Sequence, residues 1–173
     1  HAGGKFNSGN YAYSGGLHGV GASVVNALSR YLVAEVAKDG VLYRQEYKSE
    51  EDKDGKISAG KPTGPLEKVK ATKKRGTTVT YLPDGRVFET VKHNVDTIKR
   101  RLREIAFLNK GLTIILTDEK SSNKWEFKYD GGICDYVKYI DKDKNNLFEV
   151  PVHLEGESDN IKVEIAFAYT DAY

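Results

Sequence analysis

A glycine-rich loop that runs directly into a helical pattern is the feature that most constrains this chain. Four glycines lie between Gly15 and Gly21, and glycine accepts positive φ and lets other groups approach the backbone closely. Such a loop aims free amides and the positive end of a helix dipole at one point, so it predicts a phosphate-binding site. The alternative is a surface loop before an ordinary helix. Apolar residues follow at helical spacing: Val24, Val25, Ala27, Leu28 and Tyr31.

Two common phosphate loops do not fit this pattern. The dinucleotide-binding loop requires G-x-G-x-x-G after a strand, whereas this chain has G-x-x-G-x-G after a polar, glycine-rich segment at residues 5–14. The P-loop requires a lysine after its last glycine, and Gly21 is followed by Ala22.

The loop and several later stretches resemble the B subunits of bacterial type II DNA topoisomerases, namely DNA gyrase and topoisomerase IV. The resemblance covers nearly the whole chain. It is carried by HAGGKF at residues 1–6, Tyr11, SGGLHGVG at 14–21, SVVNALS at 23–29, REIAFLNKG at 103–111, YDGGI at 129–133 and VEIA at 163–166.

The resemblance implies an α+β fold, a two-layer α/β sandwich shared with the Hsp90 chaperone, the mismatch-repair protein MutL and sensor histidine kinases. Residues 1–130 would be the C-terminal part of an incomplete ATPase domain. This part would contain the ATP lid (1–22) and an inserted charged loop (48–75). Residues 131–173 would begin a second α/β domain, the transducer.

The resemblance also implies the residues of an ATP site. Lys5 would reach the terminal phosphate when the lid closes, and Thr77 would lie near the adenine. His18 is expected to contact the nucleotide rather than act in catalysis, because no serine, cysteine or carboxylate stands beside it. The full set of predicted ATP-binding residues is Lys5, Tyr11, Gly16, Leu17, His18, Gly19, Val20, Gly21 and Thr77.

The activity implied for the parent protein is ATP hydrolysis coupled to DNA strand passage. The implied partners are ATP with Mg²⁺, a DNA duplex, a second B subunit in an ATP-dependent homodimer, and the A subunit in an A2B2 heterotetramer. In the family, the catalytic Glu, the Mg²⁺-binding Asn and the adenine-binding Asp precede the lid. No catalytic or metal-binding residue is therefore expected in this chain, which alone should be inactive.

Composition is compatible with this interpretation. The 173 residues have a formal net charge of +2 and a single cysteine, Cys134. A disulfide framework is thereby excluded and a reducing cytoplasm is favoured. No apolar run is long enough to span a membrane. The chain lacks methionine and opens within a motif at His1, so we expect an internal piece of a longer protein.

Local patterns predict the remaining elements. Alternating runs at 32–38 and 41–47 around Asp39-Gly40 predict a hairpin. Residues 48–75 have the composition of a long surface loop; its lysine cluster is either a solvated surface or a contact to the DNA backbone. Asn94 should cap an amphipathic helix ending near Gly111. Further strands are predicted at 76–82, 112–117 (a central strand), 124–129, 150–155 and 161–169, with a helix from Ile133 to Ile140.

Two alternatives stay open at this level. One is another member of the same ATPase superfamily, such as a MutL-like protein. The other is a truncated relative or stand-alone module that binds nucleotide but does not hydrolyse it.

Overall fold

The computed structural model describes residues 19–159 and 161–171. Its contacts divide the chain into two compact units, with the division between Lys92 and His93. The described residues form three helices and nine strands, so the predicted α+β class is confirmed. The predicted domain boundary between Asp130 and Gly131 is not tested by this division and stays a prediction.

The first unit is an antiparallel sheet preceded by a short helix. The strand order is β3-β2-β1-β5, and β4 also pairs with β2. The elements are α1 (Gly21–Ala27), β1 (Ser29–Lys38), β2 (Val41–Lys48), β3 (Lys61–Pro62), β4 (Glu67–Ala71) and β5 (Gly76–Pro83).

The predicted hairpin is confirmed. Lys38 pairs with Val41 across a two-residue turn, in which Asp39 has φ +51° and Gly40 has φ +80°. Positive φ at both positions is the geometry that matches the twist of the flanking strands, and Asp-Gly accepts it at low cost.

The apolar spacing after the glycine loop predicts a helix that continues to Tyr31, and the observed helix is shorter. Helix α1 ends at Ala27, and Tyr31 lies in β1, where it pairs with Lys48 on one side and Leu82 on the other. Residues 31–37 pair with both β2 and β5, and this pairing outweighs the local apolar spacing.

The prediction of a continuous loop at residues 48–75 is also wrong in part. Strands β3 and β4 lie within it and both pair with β2. Their lysines and glutamate suggested a solvated loop, but edge strands commonly carry such charges.

The second unit contains the other six elements. Asn94 caps its first helix as predicted, because the Asn94 side-chain oxygen accepts a hydrogen bond of 2.9 Å from the Thr97 amide. The elements are α2 (Val95–Leu108), β6 (Ile114–Asp118), β7 (Asn123–Phe127), α3 (Ile133–Ile140), β8 (Val152–Ser158) and β9 (Ile161–Phe167).

Strand β6 is not the central strand that its apolar sequence predicted. Among the described residues it pairs with β7 alone, and Ile115 is 54% exposed. An apolar run predicts burial, but it does not specify which strands will lie on either side.

The core of the second unit is built on Phe107, which is 1% exposed. Its ring stacks on Tyr129 with centroids 3.7 Å apart and on Tyr136 at 4.9 Å. Helix α2 is thereby joined to the chain after β7 and to α3, and Ala106 and Phe127 complete the buried apolar set among the described residues of this unit.

None of the three described helices has the length and apolar character needed to cross a membrane.

Replacing Phe107 by alanine should remove this stacking and leave a cavity. We expect a loss of about 3 to 5 kcal/mol in the free energy of unfolding, measured by denaturant titration. Arg101→Ala, on the exposed face of the same helix, is the matched control and should change stability by less than about 0.5 kcal/mol. Equal losses in both variants would contradict the packing described here.

Candidate functional site

Five of the nine predicted ATP-binding residues lie outside the described part of the chain: Lys5, Tyr11, Gly16, Leu17 and His18. Gly19, Val20, Gly21 and Thr77 are described, and all four belong to the first unit.

The end of the glycine loop has the geometry that its sequence predicts. Gly19 has φ +64°, a conformation that glycine adopts without strain. Val20 is the N-cap of α1 and provides no side-chain cap. Because the first amides of a helix have no partner within it, the amides at Gly21 to Ser23 have no acceptor in α1.

Gly21 differs from Gly19 in what it requires of the protein. A Cβ built at Gly21 would meet no described atom within 4 Å, and its φ is outside the positive region. A side chain at Gly21 is therefore compatible with the described fold, and it would obstruct only a group that approaches the loop from outside.

Thr77 follows Gly76, whose φ of +147° is a backbone conformation that favours glycine at this position. Thr77 is exposed and pairs with Val36 on β1. Ser29, which follows α1, pairs with Pro83 at the other end of the same two strands. At 3.3 Å per residue, Val36 lies about 23 Å along β1 from Ser29. The strand register therefore does not bring Thr77 to the point where α1 joins the sheet.

An ionic cluster around one buried carboxylate, which the sequence reasoning missed, lies where α1 joins the sheet. Asp84 is 1% exposed. Its carboxylate accepts hydrogen bonds from Arg86 Nη2 at 2.6 Å, Arg86 Nε at 2.9 Å and Ser49 Oγ at 2.8 Å. Arg86 also donates to Glu51 at 3.2 Å, so the cluster joins the turn after β5 to the segment after β2.

Backbone hydrogen bonds attach this cluster to the exit from α1. The Asp84 amide donates to the Leu28 carbonyl at 3.0 Å, and the Ser49 amide donates to the Arg30 carbonyl at 3.2 Å. Ser29 lies between them, is 2% exposed and donates from Oγ to the Val25 carbonyl at 2.6 Å. Residues 28–30 are therefore held from two sides.

The Arg86 guanidinium holds the pKa of the Asp84 carboxyl far below its ordinary 3.8. Hydrogen bonds to Arg86 are the largest cause, and they outweigh burial, which acts in the opposite direction. The carboxylate likewise raises the pKa of Arg86. The pair is therefore ionised throughout the neutral range.

The sequence contained only part of the signal for this cluster. The sequence Pro83-Asp84-Gly85 is typical of a turn, and the Arg86 amide does donate to Asp84 Oδ1 at 3.0 Å, as in an Asx-turn. The partners Ser49 and Glu51 are 35 residues away from Asp84 and Arg86, and no local pattern connects them.

Six cations in the second half of the 48–75 segment lie on β3, on the edge strand β4 and just after β4. None of the six forms an ion pair with a described residue. The end of β4 is joined to the β1–β2 turn, because the Thr72 amide donates to the Gly40 carbonyl at 2.9 Å. The six are Lys61, Lys68, Lys70, Lys73, Lys74 and Arg75.

No group of three or more His, Cys, Asp or Glu side chains suited to a metal ion occurs among the described residues. Cys134 is half-buried and has a free thiol.

Comparison with known proteins gives consistent matches, although no family model matches the chain. Over its whole length, the chain is 44% identical to the B subunit of DNA gyrase from Clostridium acetobutylicum, of which it covers 26%. It is 46% identical to the B subunit of DNA topoisomerase 4 from Bacillus subtilis, of which it covers 25%.

A solved structure agrees with these relatives. The 43K ATPase domain of Thermus thermophilus gyrase B, in complex with an aminocoumarin, matches with a TM-score of 0.76 and 34% identity. The match covers 90% of this chain and 40% of that one. The chain spans about a quarter of the length of the curated relatives it matches.

Asp84→Asn should lower the free energy of unfolding by about 1 to 3 kcal/mol, because it weakens hydrogen bonds between buried charged groups. A carboxyl whose pKa is lowered in the folded state stabilises the fold at pH values above its ordinary pKa, and this contribution is lost as the pH falls toward the lowered pKa. The stability difference between the unmodified protein and Asp84→Asn should therefore narrow below about pH 4.

Chemical denaturation at several pH values measures this difference. Asp54→Asn is the control, since Asp54 is exposed and forms no ion pair with a described residue. A difference that widens on acidification would show that Asp84 is not stabilised as a carboxylate.

Proposed function

We propose that this chain, which belongs to the family of DNA gyrase B and topoisomerase IV B subunits, forms part of the ATP-binding region of a type II DNA topoisomerase. Identities of 44% and 46% over the whole chain support this assignment and do not favour a MutL-like alternative. The observation that carries the proposal is the glycine loop, which ends at Gly19 with φ +64° and leads directly into α1.

The described residues at the start of α1 suit the phosphate groups of a nucleoside triphosphate. Amides at the start of α1 that have no acceptor within the helix, together with the helix dipole, suit an anionic group, and no described atom within 4 Å of a Cβ at Gly21 would obstruct its close approach. In this proposal Gly16, Leu17, His18, Gly19, Val20 and Gly21 surround the phosphates. Lys5 reaches the terminal phosphate, and Tyr11 and Thr77 complete the site.

Hydrolysis requires groups beyond those assigned to this chain. We propose that the residue that activates water and the Mg²⁺ ligand come from segments that precede the lid in the complete protein. The role of this chain is to bind and enclose the phosphates. The terminal phosphate stabilises the closed lid through contacts that the open lid lacks, so ATP shifts the lid toward closure.

The wider proposal follows the family. ATP-dependent closure brings two B subunits together in a homodimer, which acts on a DNA duplex with the A subunit in the cytoplasm. Residues from Gly131 onward are proposed to begin the transducer domain, which couples closure of the B subunits to DNA strand passage.

Gly21→Val tests the ATP assignment directly. The described fold has room for the valine side chain, but this side chain would block a phosphate that approaches the loop. We expect ATP binding to be abolished in the full-length protein while the melting temperature without nucleotide stays near its original value. Gly64→Val is the control, since a Cβ at Gly64 also meets open space. Normal ATP affinity in Gly21→Val, measured by calorimetry, would refute the assignment.

We further propose that the cations on and after β4 contact the DNA backbone. They lack ion-pair partners among the described residues, and lysine and arginine bind DNA by displacing condensed counterions. Four of the five acidic residues of the segment, Glu50, Glu51, Asp52 and Asp54, lie in its first half, and only Glu67 lies in its second half, so the positive charge is concentrated in the second half.

A charge-matched pair of double variants tests this contact. Lys73→Gln with Lys74→Gln should reduce the slope of log affinity for duplex DNA against log salt by about 2, at roughly 0.9 per lost phosphate contact. Lys53→Gln with Lys56→Gln removes the same charge from the first half and should leave the slope unchanged. Equal effects of the two variants, measured by fluorescence anisotropy, would exclude a specific contact at this surface.

A further inference from the structure

Helix α1 is held by a segment that sequence analysis assigned to a solvent-exposed loop. Asn26, in the last turn of α1, donates from Nδ2 to the Gly60 carbonyl at 2.9 Å. Ser49, at the other end of the same segment, binds the Arg30 carbonyl and the Asp84 carboxylate. The segment 49–60 therefore contacts the chain just before and just after the end of α1.

The contact at Gly60 requires glycine for reasons of space. A Cβ at Gly60 would lie 2.9 Å from Asn26 Cγ and 3.0 Å from the Asn26 carbonyl oxygen, and it would overlap Asn26 Oδ1. The carbonyl oxygen belongs to the backbone of α1, so rotation of the Asn26 side chain would leave a tight contact that the backbone relieves only by a small shift.

Asn26 has an additional unusual feature. Its Oδ1 atom is buried and accepts no hydrogen bond from a described residue. An unsatisfied buried oxygen costs free energy, and the hydrogen bond from Nδ2 to the Gly60 carbonyl offsets part of the cost of burying this amide.

The opposite end of α1 forms no such contact with a described residue. Residues 21–25 are exposed, and no residue of α1 is fully buried. Among the described residues, the contacts that position the Gly19–Gly21 loop are therefore those at the end of α1, made by Asn26 with Gly60 and by the Leu28 and Arg30 carbonyls with their donors.

We propose that Asn26 and Gly60 are positioning residues for the phosphate loop. This inference rests on the proposed function and adds residues that touch no nucleotide. Hydrogen bonds weaken steeply when their length or angle departs from the optimum, and a misplacement of about 1 Å can cost about 100-fold in a precisely aligned site. A forced shift between α1 and Gly60 therefore weakens phosphate binding at the other end of the helix.

Gly60→Ala in the full-length protein tests the proposal, and Gly64→Ala is its matched control. Both variants add one methyl group to the same segment, but a Cβ at Gly64 meets nothing within 4 Å. Gly60→Ala should weaken binding of a non-hydrolysable ATP analogue about tenfold, whereas Gly64→Ala should stay within about twofold. Calorimetric titration measures both.

A comparison of two nucleotides separates positioning from general destabilisation. Because the terminal phosphate is the group that the closed lid contacts in the proposed function, Gly60→Ala should weaken the ATP analogue more than ADP. A variant that is merely less stable would lose affinity for both to the same extent. Such a result would overturn the inference.

Asn26→Ala provides a second route if Gly60→Ala folds poorly. It removes the bond to Gly60 without a clash, so it should also weaken the ATP analogue more than ADP. In the double variant the side-chain part of the clash is absent, and Gly60→Ala should cost less than it does alone. Strict additivity would contradict a direct contact between the two residues.

The outcomes also separate this inference from the proposed function. If the unmodified protein binds no ATP analogue, the proposed function fails and the inference fails with it. If the unmodified protein binds the analogue and both Gly60→Ala and Asn26→Ala bind it equally well, the inference alone is overturned.

Discussion

The buried carboxylate of Asp84 is the group on which the organisation of the first unit depends. An isolated carboxylate with 1% exposure would be very costly, so it must be surrounded by donors. Those donors come from Arg86 and Ser49, and the Asp84 amide binds Leu28. Three stretches that are distant in sequence therefore meet at one residue. Such a pair contributes little net stability compared with an apolar replacement. We infer that its main effect is to specify which segments come together, because a buried carboxylate without these donors would be costly.

This arrangement has a mechanical consequence for α1. The last turn of the helix is attached to the sheet and to the segment 49–60, while its first residues are exposed. A helix attached at one end transmits a change at that end to the other as a rigid element. In the proposed function the phosphates bind at the free end. A fixed attachment at the last turn then lets the amides keep their alignment while the chain before Gly19 closes over the nucleotide.

What could be predicted from the sequence follows the range of the interactions involved. The Asp39-Gly40 turn and the Asn94 cap depend on residues within four positions of each other, and both were predicted correctly. Strand β4 was missed because its pairing with β2 joins residues more than 20 positions apart, and its lysines resemble those of a solvated loop. The Asp84–Ser49 and Asn26–Gly60 contacts span 35 and 34 positions. No local pattern marks Gly60, and only the structure identifies the Asn26 atoms that a side chain there would meet.

The cations on and after β4 have two possible roles, protection of a strand edge and binding of a polyanion, and the structure separates these roles residue by residue. Lysine on an edge strand discourages unwanted pairing with other strands, and Lys68 and Lys70 lie within β4, which pairs only with β2 among the described strands. Protection of an edge is therefore a sufficient reason for these two residues. It does not account for Lys73, Lys74 and Arg75, which follow the end of the strand and have no ion-pair partner among the described residues. If the segment binds a polyanion, these three residues are the ones for which protection of the edge offers no other explanation.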